Sequence, residues 1–147
     1  MTMEHIERSF AVTLHINHPS IDPEVISREL SLQPRSSHRV GQAKVTPRGT
    51  PLKGVHECAG WSFAFDTSGI TDLSEFLAIV VERLEPHASF LMNLVREEGS
   101  IELFCGIFAD GNWDECFPRQ ILRRLADLSV DLRLDVYPNK TRKKAKR

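Results

Sequence analysis

Four stretches of this chain alternate their side chains with the period of a strand, and the segments between them do not. That switch constrains the fold more than any other feature. Period two marks a half-buried strand, whereas spacing near 3.6 marks an amphipathic helix. Over residues 9–16, Phe10, Val12, Leu14 and Ile16 share one face, and Ala11, Thr13 and His15 the other. Trp61, Phe63 and Phe65 repeat the pattern around Ser62 and Ala64. The 101–109 stretch sets Phe104 and Phe108 opposite Leu103, Cys105 and Ile107, so both of its faces are apolar. Leu132, Leu134 and Val136 then alternate with Arg133, Asp135 and Tyr137.

Helical signals fill the gaps. Asp22-Pro23-Glu24 supplies a capping carboxylate and a proline suited to the first turn, predicting a short helix that ends near Ser31, ahead of Pro34. Residues 71–99 read as helix, with Asp72 and Glu75 as a capping pair and Leu73, Phe76, Leu77, Val80 and Leu84 as one stripe. Pro86 lacks an amide donor and breaks that helix, and Gly99 is its expected stop. Pro118 opens a last helix with Ile121, Leu122, Leu125 and Leu128 inward.

The order β-α-β-β-α-β, then α-β, predicts an α+β fold. Its expected form is a mostly antiparallel sheet of about five strands with helices on one face, a ferredoxin-like βαββαβ core extended by an αβ unit. The added strand should lie at an edge, parallel to the 101–109 strand. Residues 33–60 fit no period and hold Pro34, Gly41, Pro47, Gly49, Pro51, Gly54 and Gly60. A short strand is expected over 39–44, followed by an exposed excursion, because irregular loops longer than about 15 residues are uncommon and usually functional or disordered. Either this loop folds across the sheet face opposite the helices, or Phe104 and Phe108 form a dimer face there.

Charge divides the chain more sharply than the total suggests. The 147 residues carry 19 basic and 20 acidic side chains, a net of −1. Six of the bases lie in residues 139–147, which contain no acid, so residues 1–138 hold 13 bases against 20 acids. The expected organisation is a single domain over 1–138 with a basic disordered tail at 139–147. Within the domain, residues 31–56 contain Arg35, Arg39, Lys44, Arg48 and Lys53 and no acid. No stretch reaches the roughly 18 apolar residues of a membrane helix, and Glu4, His5, Glu7 and Arg8 do not fit a secretion signal. Cys58, Cys105 and Cys116 are odd in number and lack paired spacing, as in reduced cytoplasmic proteins.

One set of short motifs recurs in a recognisable order. Asp22-Pro23-Glu24 follows the first strand, then Leu32-Gln33-Pro34 and Gly41. Gly60-Trp61, Leu84-Glu85-Pro86 and a closing Leu134-Asp135-Val136-Tyr137 come after the variable loop. In this arrangement the chain resembles the bacterial family named domain of unknown function 4279, from Phe10 to Tyr137. The resemblance implies a small stand-alone bacterial protein and brings no activity, cofactor or partner with it.

The residues themselves favour binding over catalysis. His56-Glu57-Cys58 lacks the second ligand pair that structural zinc needs, and His15, His18 and His38 are scattered, so no metal or cofactor is expected. No nucleophile elbow, phosphate loop or dinucleotide fingerprint occurs. Gly60-Trp61-Ser62-Phe63-Ala64 imitates the aromatic spacing of an RNA-recognition strand. The acidic body opposes a polyanion, which leaves the basic tail and loop as the nucleic-acid alternative. An enzyme of unknown reaction is the second alternative. The principal expectation is a non-catalytic cytoplasmic module making protein–protein contact with an acidic partner. Its expected contact residues are Arg35, His38, Arg39 and Trp61, although Trp61 also fits a place in the core.

Overall fold

The computed structural model describes residues 8–138. The basic tail at 139–147 therefore lies outside the described residues. The central strand, β1 (Arg8–His18), pairs antiparallel with β5 (Ala59–Ala64) on one side and with β6 (Ser100–Ala109) on the other. Outside β5 lies β2 (Ser36–His38), antiparallel, and outside β6 lies β7 (Asp131–Pro138), parallel. The sheet order is β2-β5-β1-β6-β7. A mainly antiparallel five-stranded sheet with helices is thus the observed α+β architecture, with the parallel edge strand where the pattern placed it.

Register explains which side chains are buried. Leu14 pairs with Leu103 and Ile16 with both Trp61 and Ile101, so the apolar parity of three strands falls on one face. There it shares a single cluster with Ile26 of α1 (Pro23–Leu30), Leu77 and Val80 of α2 (Leu73–Leu84), Leu91 of α3 (Ala88–Arg96) and Leu125 of α4 (Arg119–Asp127). Asp22 caps α1 by accepting from the Glu24 amide, and Ser31 closes it in a left-handed conformation. At Pro86 the chain leaves α2 for a 3-10 turn over Glu85–His87 before α3 begins. Arg124 clamps that turn to α4, its Nε donating to Glu85 Oε2 at 3.0 Å. No helix among the described residues is long and apolar enough to cross a membrane.

Two expectations need correction. Residues 39–44 do not form one strand. The pairing strand lies earlier, at Ser36–His38, and Gly41 turns the chain with a φ of 81° that side-chain-bearing residues rarely adopt. The excursion beyond it is regular: β3 (Ala43–Val45) and β4 (Pro51–Val55) pair as a two-stranded ribbon closed by Thr46 and Thr50. Nor is Gly99 the left-handed stop of α3. Glu98 takes that conformation at φ 72°, and Gly99 follows it, donating to Leu94 O at 2.8 Å.

The ribbon does not fold over the sheet. Between residues 39 and 55 only Thr46 is even half-buried, and Ser9, Ala11, Ala64 and Phe108 on the face opposite the helices are exposed. Among the described residues that face is open at these positions, whereas Thr13, Ser62 and Gly106 in its middle are buried.

Candidate functional site

The open face is built from the polar parity of the strands whose apolar parity makes the core. His15 of β1 lies opposite Ser62 of β5, and Ser62 opposite Ser36 of β2, in one cross-strand row. The next row sets Asn17, Gly60 and His38 side by side. These residues and Arg35 line a cavity of about 140 Å³. Ser36 Oγ and Ser62 Oγ are 2.7 Å apart, so one hydroxyl donates to the other. Arg35 is anchored by its own amide, which donates to Ser62 O at 2.7 Å. Its side chain is exposed and has no ion pair among the described residues.

His38 is held by geometry that only glycine permits. A Cβ on Gly60 would stand 2.3 Å from His38 Cε1 and 2.6 Å from Nε2, well inside contact distance. His56, at the root of the ribbon, stacks on the same ring with centroids 3.5 Å apart and planes 14° apart. The imidazole is thus held by both the strand backbone and the ribbon's root. Burial lowers its pKa below the ordinary imidazole value, and His56 and Lys44 lower it further, against the hydrogen bond it donates to the Cys58 backbone, which raises it. Burial also lowers the pKa of His15; Glu102 pulls it up and Arg35 pushes it down. At neutral pH the groove therefore presents a fixed cation, two neutral imidazoles and a pair of hydroxyls.

The sign of these shifts gives a test. Both imidazoles resist protonation in the fold, so their contribution to stability is complete above the ordinary histidine value. It is lost as pH falls through about 6.5 toward the depressed folded values. Urea unfolding across that interval should show stability falling with pH. Loss of this slope in a His15→Gln/His38→Gln variant assigns it to the groove; an unchanged slope contradicts the assignment.

The matching family is described as Domain of unknown function (DUF4279), and it matches residues 8–139. The chain belongs to this family. The matched span opens with β1 and closes just past β7, so it takes in the whole DUF4279 sheet and the groove on it. No match is found among curated proteins or among solved structures.

Of the four expected contact residues, the DUF4279 fold brings only two side chains together in the groove. Arg35 and His38 lie there. Arg39 is turned away to the start of α1, 3.4 Å from Asp22 and 3.7 Å from Glu24, so its charge is already engaged. Trp61 is 2% exposed, and its indole Nε1 donates to Ser27 Oγ at 2.9 Å beneath α1. Its ring belongs to the core, although the residue borders the groove. Trp61→Phe should remove that bond and cost about 1 kcal/mol in chemical denaturation. A change under about 0.3 kcal/mol would show that the bond stabilises nothing.

Phe104 and Phe108 do lie on the open face, as their parity implied. Phe104 is half-buried with His15 edge-on to its ring, and Phe108 is exposed and stacked on Tyr137 with centroids 5.4 Å apart. His15, Ser36 and Ser62 were not among the expected contact residues. For His15 and Ser62 the one sequence signal is a polar residue between apolar neighbours in a strand, and Ser36, in the three-residue β2, carries none. The chain's other histidine-rich point, His18, is structural: its Nδ1 accepts from the Ser20 and Ile21 amides while Nε2 donates to Glu97 at 3.1 Å. Cys105 is buried, and burial pushes its thiol up to about 12, which removes it as a nucleophile at neutral pH.

Proposed function

We propose that this chain is a binding module that holds an acidic segment of a protein partner in the groove of its open sheet face, beside the basic ribbon. The observation that carries this reading is Arg35, a guanidinium with no ion pair among the described residues, which shares the groove with two imidazoles and two hydroxyls. Such a set offers charge-assisted hydrogen bonds to a carboxylate or phosphate oxygen. Size argues for a side chain of a larger partner. About 140 Å³ is well below the 300–1,000 Å³ typical of small-molecule pockets, and accommodates one carboxylate group.

The ribbon extends the same surface. Lys44, Arg48 and Lys53 stand on it with Val45, Leu52 and Val55, each of these three about half exposed. Apolar side chains between cations suit a peptide that carries both carboxylates and aliphatic groups. Catalysis finds less support in the same geometry. The groove hydroxyls bond each other, and among the described residues neither is hydrogen-bonded to a histidine that would activate it as a nucleophile. Three unpaired cysteines fit a cytoplasmic location for this module.

A nucleic-acid reading has one observation in its favour: the exposed Phe108–Tyr137 stack on an open sheet, where bases could stack. Asp135 and Glu102 stand on that same half of the face and oppose a polyanion.

Calorimetric titration with a short glutamate-rich peptide, and separately with a single-stranded oligonucleotide of equal charge, separates the two. Peptide binding that weakens with salt and strengthens as pH falls from about 6.5 toward the lowered imidazole values is the expected result, because protonated imidazoles then add to Arg35. Absence of peptide binding, or tighter binding of the oligonucleotide, rejects the proposal.

A further inference from the structure

We infer that two copies of this chain join through β7, edge to edge and antiparallel, to make one continuous sheet. The observation is the edge itself. β7 pairs only with β6, so the backbone groups on its outer side have no strand partner among the described residues. Such an edge is a template for a further strand unless its side chains forbid one. On its helix side β7 exposes apolar groups: Leu134 is 39% and Val136 49% accessible, although both share the face of the core. On the open side it carries Asp131, Arg133, Asp135 and Tyr137 in alternation.

Those alternating charges select the occupant. Directly opposed residues in an antiparallel pair point to the same face, so a self-pairing register must join residues of equal parity. Centring the two-fold on Arg133 sets Arg133 against Arg133 of the second copy and Asp131 against Asp135. Centring it on Asp135 sets Asp135 against Asp135. Both place like charges in contact. Centring it on Leu134 does the opposite: Arg133 meets Asp135 and Asp135 meets Arg133, while Leu132 meets Val136 and Leu134 meets Leu134. That register also uses residues 131–137 in full, with Pro138 just beyond it. One alignment satisfies length, parity and charge together, and its neighbours are repelled.

The charges have capacity for it. Among the described residues Arg133 uses only Nε, donating to Glu102 Oε1 at 3.0 Å, and Asp135 accepts the Tyr137 hydroxyl on Oδ2 alone. The groove of the proposed function is built at the opposite edge of the sheet, on β2, β5 and β1. The two proposals can therefore fail separately.

Sedimentation equilibrium of the full chain over a wide concentration range tests the inference. The expected result is reversible dimerisation. Asp135→Arg should weaken it about tenfold or more, since two attractive pairs become two repulsive ones, and Leu134→Lys should do likewise by opposing two ammonium groups. The swap Arg133→Asp/Asp135→Arg should restore affinity to within about threefold of the parent, although it removes the contact to Glu102. A single-chain mass at every concentration overturns the inference. So does a dimer indifferent to Asp135→Arg, or one abolished by Phe108→Asp while Leu134→Lys leaves it intact, which would place the contact on the open face. Amide hydrogen exchange on the unmodified chain gives an independent reading: protection of residues 131–137 must rise with protein concentration, and constant protection overturns the inference without any variant.

Discussion

Gly99→Ala should lower the unfolding free energy by about 3 kcal/mol, a large share of the 5–15 kcal/mol that holds a typical domain together. The expectation rests on space. A Cβ there would lie 2.6 Å from the Leu94 carbonyl oxygen and 3.0 Å from the Asn17 carbonyl oxygen. Both are backbone atoms, so no rotamer change relieves the contact. Either the last turn of α3 or the end of β1 must move. The movement would spread, because His18 Cδ2 lies 3.2 Å from the same point and His18 ties the 20–21 backbone to Glu97. Thermal unfolding should fall by roughly 10 °C. A shift below about 0.5 kcal/mol would show that this junction is looser than its distances imply.

The second large effect concerns binding. Arg35→Glu should weaken the glutamate-rich peptide on the order of thirtyfold, since it removes a charge-assisted bond worth about 1.5–3 kcal/mol and adds repulsion. Arg39→Glu is the control that makes the result informative. Arg39 lies four residues away and has the same charge, but it is held by Asp22 and Glu24 at the start of α1. Its reversal should change peptide affinity by less than about threefold, consistent with the modest worth of exposed charges. Equal losses from the two variants would mean that general basicity, not the groove, attracts the peptide.

Much of the architecture was legible because long strands carry their own period. β1 and β6 announce themselves through parity, and α1 through Asp22-Pro23. The three residues of β2 are too few to show any period, so its place beside β5 appears only in the pairing of Ser36 with Ser62 and His38 with Gly60. The ribbon was hidden for another reason: its residues are exposed on both sides, and burial is what imprints alternation on a strand. Trp61 shows the limit of parity. Its row with Phe63 and Phe65 was plain, but which face that row occupies is fixed by register against Ile16, a tertiary fact.

The groove was half legible. Arg35 and His38 stood out as an isolated cation and imidazole near the strands. His15, Ser36 and Ser62 come from three separated strands and look, one at a time, like ordinary solvent-facing residues. Gly60 gave no hint that its missing side chain seats a histidine ring. Only the sheet order, with β5 between β2 and β1, assembles them.

The most direct test of the central claim is a map of amide NMR shifts during titration with the glutamate-rich peptide. The largest changes should fall on Arg35, Ser36, His38, Ser62 and His15, extend onto the ribbon, and vanish in Arg35→Glu. Changes centred instead on Phe104, Phe108 and Tyr137, or scattered over every basic residue of the chain, would contradict it.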